Sequence, residues 1–106
     1  MRIRVYRNQD VKRIIAFIPP GHMHTRLYIE FDDQGIILNE ATISAILRAY
    51  INIAHHPTRR AIELINYRLD KKKFGYAKYQ LLESEREEDD ILNEAMELYV
   101  EGTSDE

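Results

Sequence analysis

The chain has no cysteine and no tryptophan among its 106 residues, and only four glycines and three prolines. Without thiols it can form no disulfide, no cysteine nucleophile and no thiolate-held zinc or iron–sulfur centre. So few glycines leave no Gly-rich loop to cradle a phosphate. The apolar runs are too short to cross a bilayer. Met1-Arg2-Ile3-Arg4-Val5 lacks the apolar stretch and small-residue cleavage site of a signal peptide. These absences predict a soluble, cytoplasmic protein with no membrane role.

What the chain does have is charge sorted by position. Residues 1–82 hold 14 of the 15 Lys and Arg but only 7 of the 18 Asp and Glu. Residues 83–106 hold the other 11 acids and a single base, Arg86. The net charge of −3 therefore hides a basic body and an acidic C-terminal segment. Such a segment can screen the body, dock on it, or compete with a polyanion for it. The 14 isoleucines beside abundant Glu, Arg and Lys resemble a thermophile's composition.

A chain of this length forms one domain, expected over residues 1–102 with a frayed tail at 103–106, and can bury about 65% of its unfolded surface. Ile3 and Val5 alternate with Arg2, Arg4 and Tyr6 like a strand. Val11 to Ile18 is apolar on both faces, which predicts a central or covered strand, stopped by Pro19-Pro20-Gly21. Leu27, Ile29 and Phe31 alternate in a third strand. Asp32-Asp33-Gln34-Gly35 reads as a hairpin loop with Gly35 supplying positive φ, and Ile36 to Leu38 as the returning strand.

The period then becomes helical. Asn39 can cap a helix that buries Ile43, Ile46, Leu47, Tyr50 and Ala54, while Ala41, Ala45 and Ala49 form a small-residue stripe open to close approach. Pro57 ends that helix at His55-His56 and suits the start of a second, with Ala61, Ile62, Ile65 and Leu69 inward and Lys71-Lys72-Lys73 at its C-terminal end. Residues 74–83 read as a fifth strand. Ser84-Glu85-Arg86-Glu87 matches a capping box for a last helix, ended by Gly102. The expectation is an α+β fold, a small, mostly antiparallel sheet in the order β-β-β-β-α-α-β-α with helices on one face.

No segment carries the motif of a known family. Three constellations invite a chemical reading. Arg2, Arg4 and Tyr6 would share a sheet face with Arg26 and Tyr28, alternating cations with rings as single-stranded RNA or DNA binders do. The same residues also suit a solvated strand face. Thr58, Arg59 and Arg60, at a helix start after His55-His56, could hold a phosphate, or form a plain helix corner. His22-x-His24 could offer two imidazoles to a metal, or be a polar loop.

No nucleophile has a positioned base, so no catalytic residue and no cofactor is expected. The sequence thus favours a non-enzymatic polyanion-binding module, for RNA or single-stranded DNA, with its basic body gated by the acidic helix. The alternative is a protein-interaction or structural homo-oligomer. In that reading the chain self-associates as a homodimer and the acidic helix docks a basic protein partner. An enzyme with a site built across a dimer interface stands behind both.

Overall fold

A computed structural model describes residues 1–69 and 78–104. The chain adopts the α+β class, with antiparallel sheets of three and two strands and two helices among the described residues. After a single 3₁₀ turn at Asn8–Asp10 come β1 (Val11–Phe17), β2 (Arg26–Phe31), β3 (Gly35–Asn39) and α1 (Glu40–Ala54). Next are β4 (Leu64–Arg68), β5 (Tyr79–Glu83) and α2 (Glu88–Thr103). The first sheet runs β1-β2-β3 and the second β4-β5.

Turn chemistry explains the first sheet. Pro20 supplies the fixed φ and Gly21 the positive φ of 78° that a tight turn after β1 needs, closed by His22 N–H donating to Pro19 O at 3.0 Å. The β2–β3 hairpin closes with Phe31 N–H on Gln34 O at 2.8 Å. Gly35 is not at positive φ, contrary to the sequence expectation. It is glycine because a Cβ there would lie 2.7 Å from Cε1 of Tyr28. Register places Ile14, Ala16, Leu27, Ile29, Ile36 and Leu38 on one sheet face. Arg13, Ile15, Phe17, Arg26, Tyr28, Glu30 and Ile37 lie on the other.

Several elements differ from the periodicity reading. Residues 1–7 pair with no strand among the described residues; side chains hold them instead. Tyr6 stacks on Phe31 at 3.8 Å, and Arg4 pairs with Asp32 and Asp33. The helix expected to start at Pro57 does not form among the described residues: residues 56–63 are irregular and Leu64–Arg68 is a strand. The β-branched and aromatic residues Ile65 and Tyr67 there favour a strand over the weak helical spacing. α2 begins at Glu88, four residues after the expected cap Ser84, whose backbone N–H instead donates to Glu63 O at 2.9 Å. α2 passes through Gly102 to Thr103, and Gly102 lets the methyls of Ile3 and Val5 lie against the helix. β5 supplies residues 79–83 of the expected fifth strand. Lys71, Lys72 and Lys73, residues 74–77 of that strand and Asp105 and Glu106 of the tail lie outside the described residues.

The core is thin. Ala45 and Ala61 are the only hydrophobic side chains fully buried among the described residues. One copy exposes 8948 Å², whereas a folded monomer of this mass exposes about 6,200 Å². Its radius of gyration is 16.2 Å, against about 13 Å for a compact domain of this length. One copy removes only about half of its unfolded surface from water, short of the two-thirds its length allows.

Candidate interaction surface

α1 is docked the opposite way round from its amphipathic pattern. Ala45 and, in part, Ala49 face inward, while Ala41 at the start of the small-residue stripe is exposed. Ala45 is 2% exposed, and with Thr42, Ala49 and one side of Ile46 it lines an apolar groove of about 240 Å³ against Ile62, Leu64 and Leu81. Arg48 ties the helix to β5 by donating from Nη2 to Leu81 O at 3.2 Å. A face of alanines allows that close approach. The consequence is that Ile46, Leu47, Tyr50 and Ile51 are each more than half exposed. At 100° per residue these four lie on one arc, in line with Ile43 and Ala54. The expected burial of Ile46, Leu47 and Tyr50 therefore does not occur within one copy.

Two further surfaces are left open. β1, expected to be central or covered, is an edge strand, and Ile14, Ile15, Phe17 and Ile18 are all exposed. α2 has no buried residue; Met96, Leu98, Tyr99 and Val100 are exposed. Isolated exposed apolar residues are ordinary on a protein surface, but whole stripes and strands of them mark contact sites.

The polar groups, by contrast, are largely satisfied. Arg4 Nη2 donates to both carboxylate oxygens of Asp32, at 2.8 and 3.0 Å, and pairs with Asp33. Its guanidinium lies 4.6 Å from the centre of the Tyr6 ring. Tyr6 O–H donates to Asp33 Oδ1 at 2.8 Å and accepts from Gln34 Nε2 at 2.8 Å. Partial desolvation pushes the Asp33 carboxyl up, but the Tyr6 hydroxyl and the Arg4 charge outweigh it and hold it below the ordinary value. Hydrogen bonds from the side chain and backbone of Arg7 do the same for Asp10, the one buried charged residue among those described.

The residues singled out for nucleic acid do not form one surface. Tyr6 stacks on Phe31, which lies on the opposite face of β2 from Tyr28 and Arg26. Arg2 makes no ion pair among the described residues, and Arg4 is already neutralised. Arg26 Nη1 donates to the carbonyls of His24 and Thr25 at 3.1 and 3.4 Å. Tyr28 donates to Glu30 at 2.8 Å, a bond that raises its own pKa and helps depress that of Glu30.

Thr58 and Arg59 line a cleft of about 300 Å³ with His56, Glu83, Arg86 and Glu88. With no helix starting there, the backbone N–H groups of Thr58 and Arg59 point to His56 Nδ1, at 3.4 and 3.1 Å. Arg59 is paired with Glu83, and Arg86 with Glu63 and Glu94 at 2.9 and 2.7 Å. The Arg60 backbone N–H donates to Glu88, while its side chain is exposed. The cleft's guanidinium groups thus already hold carboxylates. His24 Nδ1 lies 2.6 Å from Glu40 Oε2, and no group of three or more His, Cys, Asp or Glu side chains that could hold a metal exists among the described residues.

Sequence reasoning missed that the large α1 stripe faces out and that Asp32 and Asp33 hold the N-terminal segment. The stripe was visible as a stripe, but its direction was not. The class this fold and surface define is a small α+β domain with more apolar surface than one copy can bury. No family model, no curated protein and no solved structure matches the chain. No described helix is long and apolar enough to cross a membrane.

Proposed function

We propose that this chain is a non-enzymatic protein-interaction module, cytoplasmic, whose working form is a homodimer. The observation that carries the reading is the surplus of exposed surface on one copy, about 2,700 Å² above that of a folded monomer of this mass. Fully burying each large side chain of the α1 stripe is worth about 1.5–3 kcal/mol, so a partner that covers the stripe gains far more than a rim contact would.

The polyanion reading has less support. It needs Arg2, Arg4, Arg26, Arg59 and Arg60 gathered on one surface, whereas Arg4 and Arg59 already hold carboxylates and Tyr6 and Tyr28 belong to opposite sheet faces. A second contact surface is supported by α2. It carries Glu88, Asp89 and Asp90 in its first turn, no base along its length and no buried residue, which suits a basic protein partner.

Two measurements on the full chain test this. Sedimentation equilibrium across micromolar concentrations should give twice the monomer mass. Fluorescence anisotropy of a labelled single-stranded oligonucleotide in low salt should stay flat, where phosphate contacts would be strongest. A monomer mass at the highest concentration would overturn the homodimer. Tight, salt-sensitive anisotropy would return the function to polyanion binding.

A further inference from the structure

We infer that α1 is the self-pairing element: two copies meet through α1 about a two-fold axis, antiparallel, with Leu47 of each copy against Tyr50 of the other. The inference rests on the homodimer reading above and adds where and how the copies meet. The occupant is a second copy because the missing burial is that of a shared core. If two copies removed their surplus from water they would bury about 5,500 Å² between them, the size of a large obligate homodimer interface.

Charge decides between the two open helices. α2 carries six acids, Glu88, Asp89, Asp90, Glu94, Glu97 and Glu101, and no base. Laying it against its own copy would bring like charges together in a contact that excludes water. α1 carries only Glu40 and Arg48; Glu40 is held at the first turn by Thr25 and His24, and Arg48 points to β5. Its outward arc is uncharged.

The spacing decides the arrangement. A two-fold contact must be self-complementary. Ile46 and Leu47 stand on one side of a midpoint between Arg48 and Ala49, and Tyr50 and Ile51 stand at equal distance on the other. Turning the helix end over end about that midpoint sets Ile46 against Ile51, Leu47 against Tyr50 and Ile43 against Ala54 of the second copy. Large residues meet large ones, and the small Ala54 faces a half-buried Ile43. This is knobs-into-holes geometry over about two heptads.

The test uses charge reversal across the predicted pair. Leu47→Glu and Tyr50→Lys, each alone, should shift sedimentation from dimer towards monomer by about 100-fold or more in dissociation constant, since each copy then buries an unpaired charge. Mixed in equal amounts, the two should recover dimer, because position 47 of one meets position 50 of the other. Leu98→Glu, on the exposed side of α2, should leave the dimer unchanged. If either single variant loses its native circular dichroism, the mixture is still decisive: recovered ellipticity and dimer mass support the pairing, and failure to recover either overturns it. A parent that is dimeric and single variants that remain so would overturn the α1 placement while leaving the homodimer standing. A monomeric parent with native circular dichroism would overturn both, leaving the stripe to a different protein.

Discussion

At the tip of the β2–β3 hairpin, Arg4, Tyr6, Asp32, Asp33 and Gln34 satisfy one another within a single copy. Along α1, Ile46, Leu47, Tyr50 and Ile51 each stay more than half exposed. The two regions belong to the same small chain and differ in the kind of interaction they need. A hydrogen bond or ion pair is complete with one partner at 3 Å, which a turn can provide. Hydrophobic stabilisation grows with area, and 106 residues spread over two separate sheets do not enclose enough of it. Polar structure is thus finished locally, while much of the apolar surface of α1 stays exposed in the single chain.

Dilution should break the apolar side of that comparison most. If folding and association are one event, a hundredfold dilution costs about 2.7 kcal/mol and should lower the thermal midpoint by roughly 5–10 °C. Calorimetry at two concentrations checks this, and a midpoint independent of concentration would show that one copy is stable by itself.

A smaller effect should come from the hairpin. In Gly35→Ala the new methyl collides with the Tyr28 ring and swings its hydroxyl off Glu30. The expected loss is about 1–2 kcal/mol by urea unfolding. It should be the same at every protein concentration, because the contact is internal to one copy.

The smallest effect concerns acid. Asp10, Glu30, Asp33 and Glu40 all titrate below their ordinary values in the fold, Asp10 through its hydrogen bonds with Arg7 and Glu40 through those from the Thr25 backbone and His24. A depressed carboxyl contributes stability that is fully present above its unfolded pKa and is lost as pH falls through its folded one. Unfolding free energy should therefore fall below the ordinary carboxylate range. Asp10→Asn should be less stable at neutral pH and lose less on acidification, as read by urea titrations at a series of pH values.

Much of the fold was legible wherever local chemistry decides the backbone. Pro19-Pro20-Gly21 and Asp32-Asp33-Gln34-Gly35 turn where turn residues cluster, and α1 runs between Asn39 and His55 because Pro57 closes it. Legibility ended where two patterns compete or where tertiary packing decides which way a stripe faces. Arg2 to Tyr6 alternates like a strand, and nothing in alternation separates a laddered strand from an extended segment clasped by Asp32 and Asp33. Ile62, Ile65 and Leu69 fit a helix by spacing, but the β-branched Ile65 equally suits a strand, and β5 settles the matter by pairing with β4. The bulky stripe of α1 was assigned inward because a lone domain buries its largest residues. In the structure the close approach of Ala45 and Ala49 to Ile62, Leu64 and Leu81 turns the stripe outward instead. The candidate surface was therefore visible residue by residue but not in orientation.

The edge position of β1 has a consequence for handling the protein. Ile14-Ile15-Ala16-Phe17, with Ile18 just beyond, is an uncharged, β-branched and aromatic run on a strand with one free row of backbone N–H and C=O groups among the described residues. Runs of that composition stack into cross-β fibrils once they are exposed in many copies. Lys12 and Arg13 guard its start, while Pro19-Pro20 ends it, since proline cannot donate to a growing ladder. On warming, this exposed segment should pair between molecules, so thermal loss of the fold should proceed through amyloid-like fibre rather than through a soluble coil, and the two prolines are the residues that keep the fibre core short.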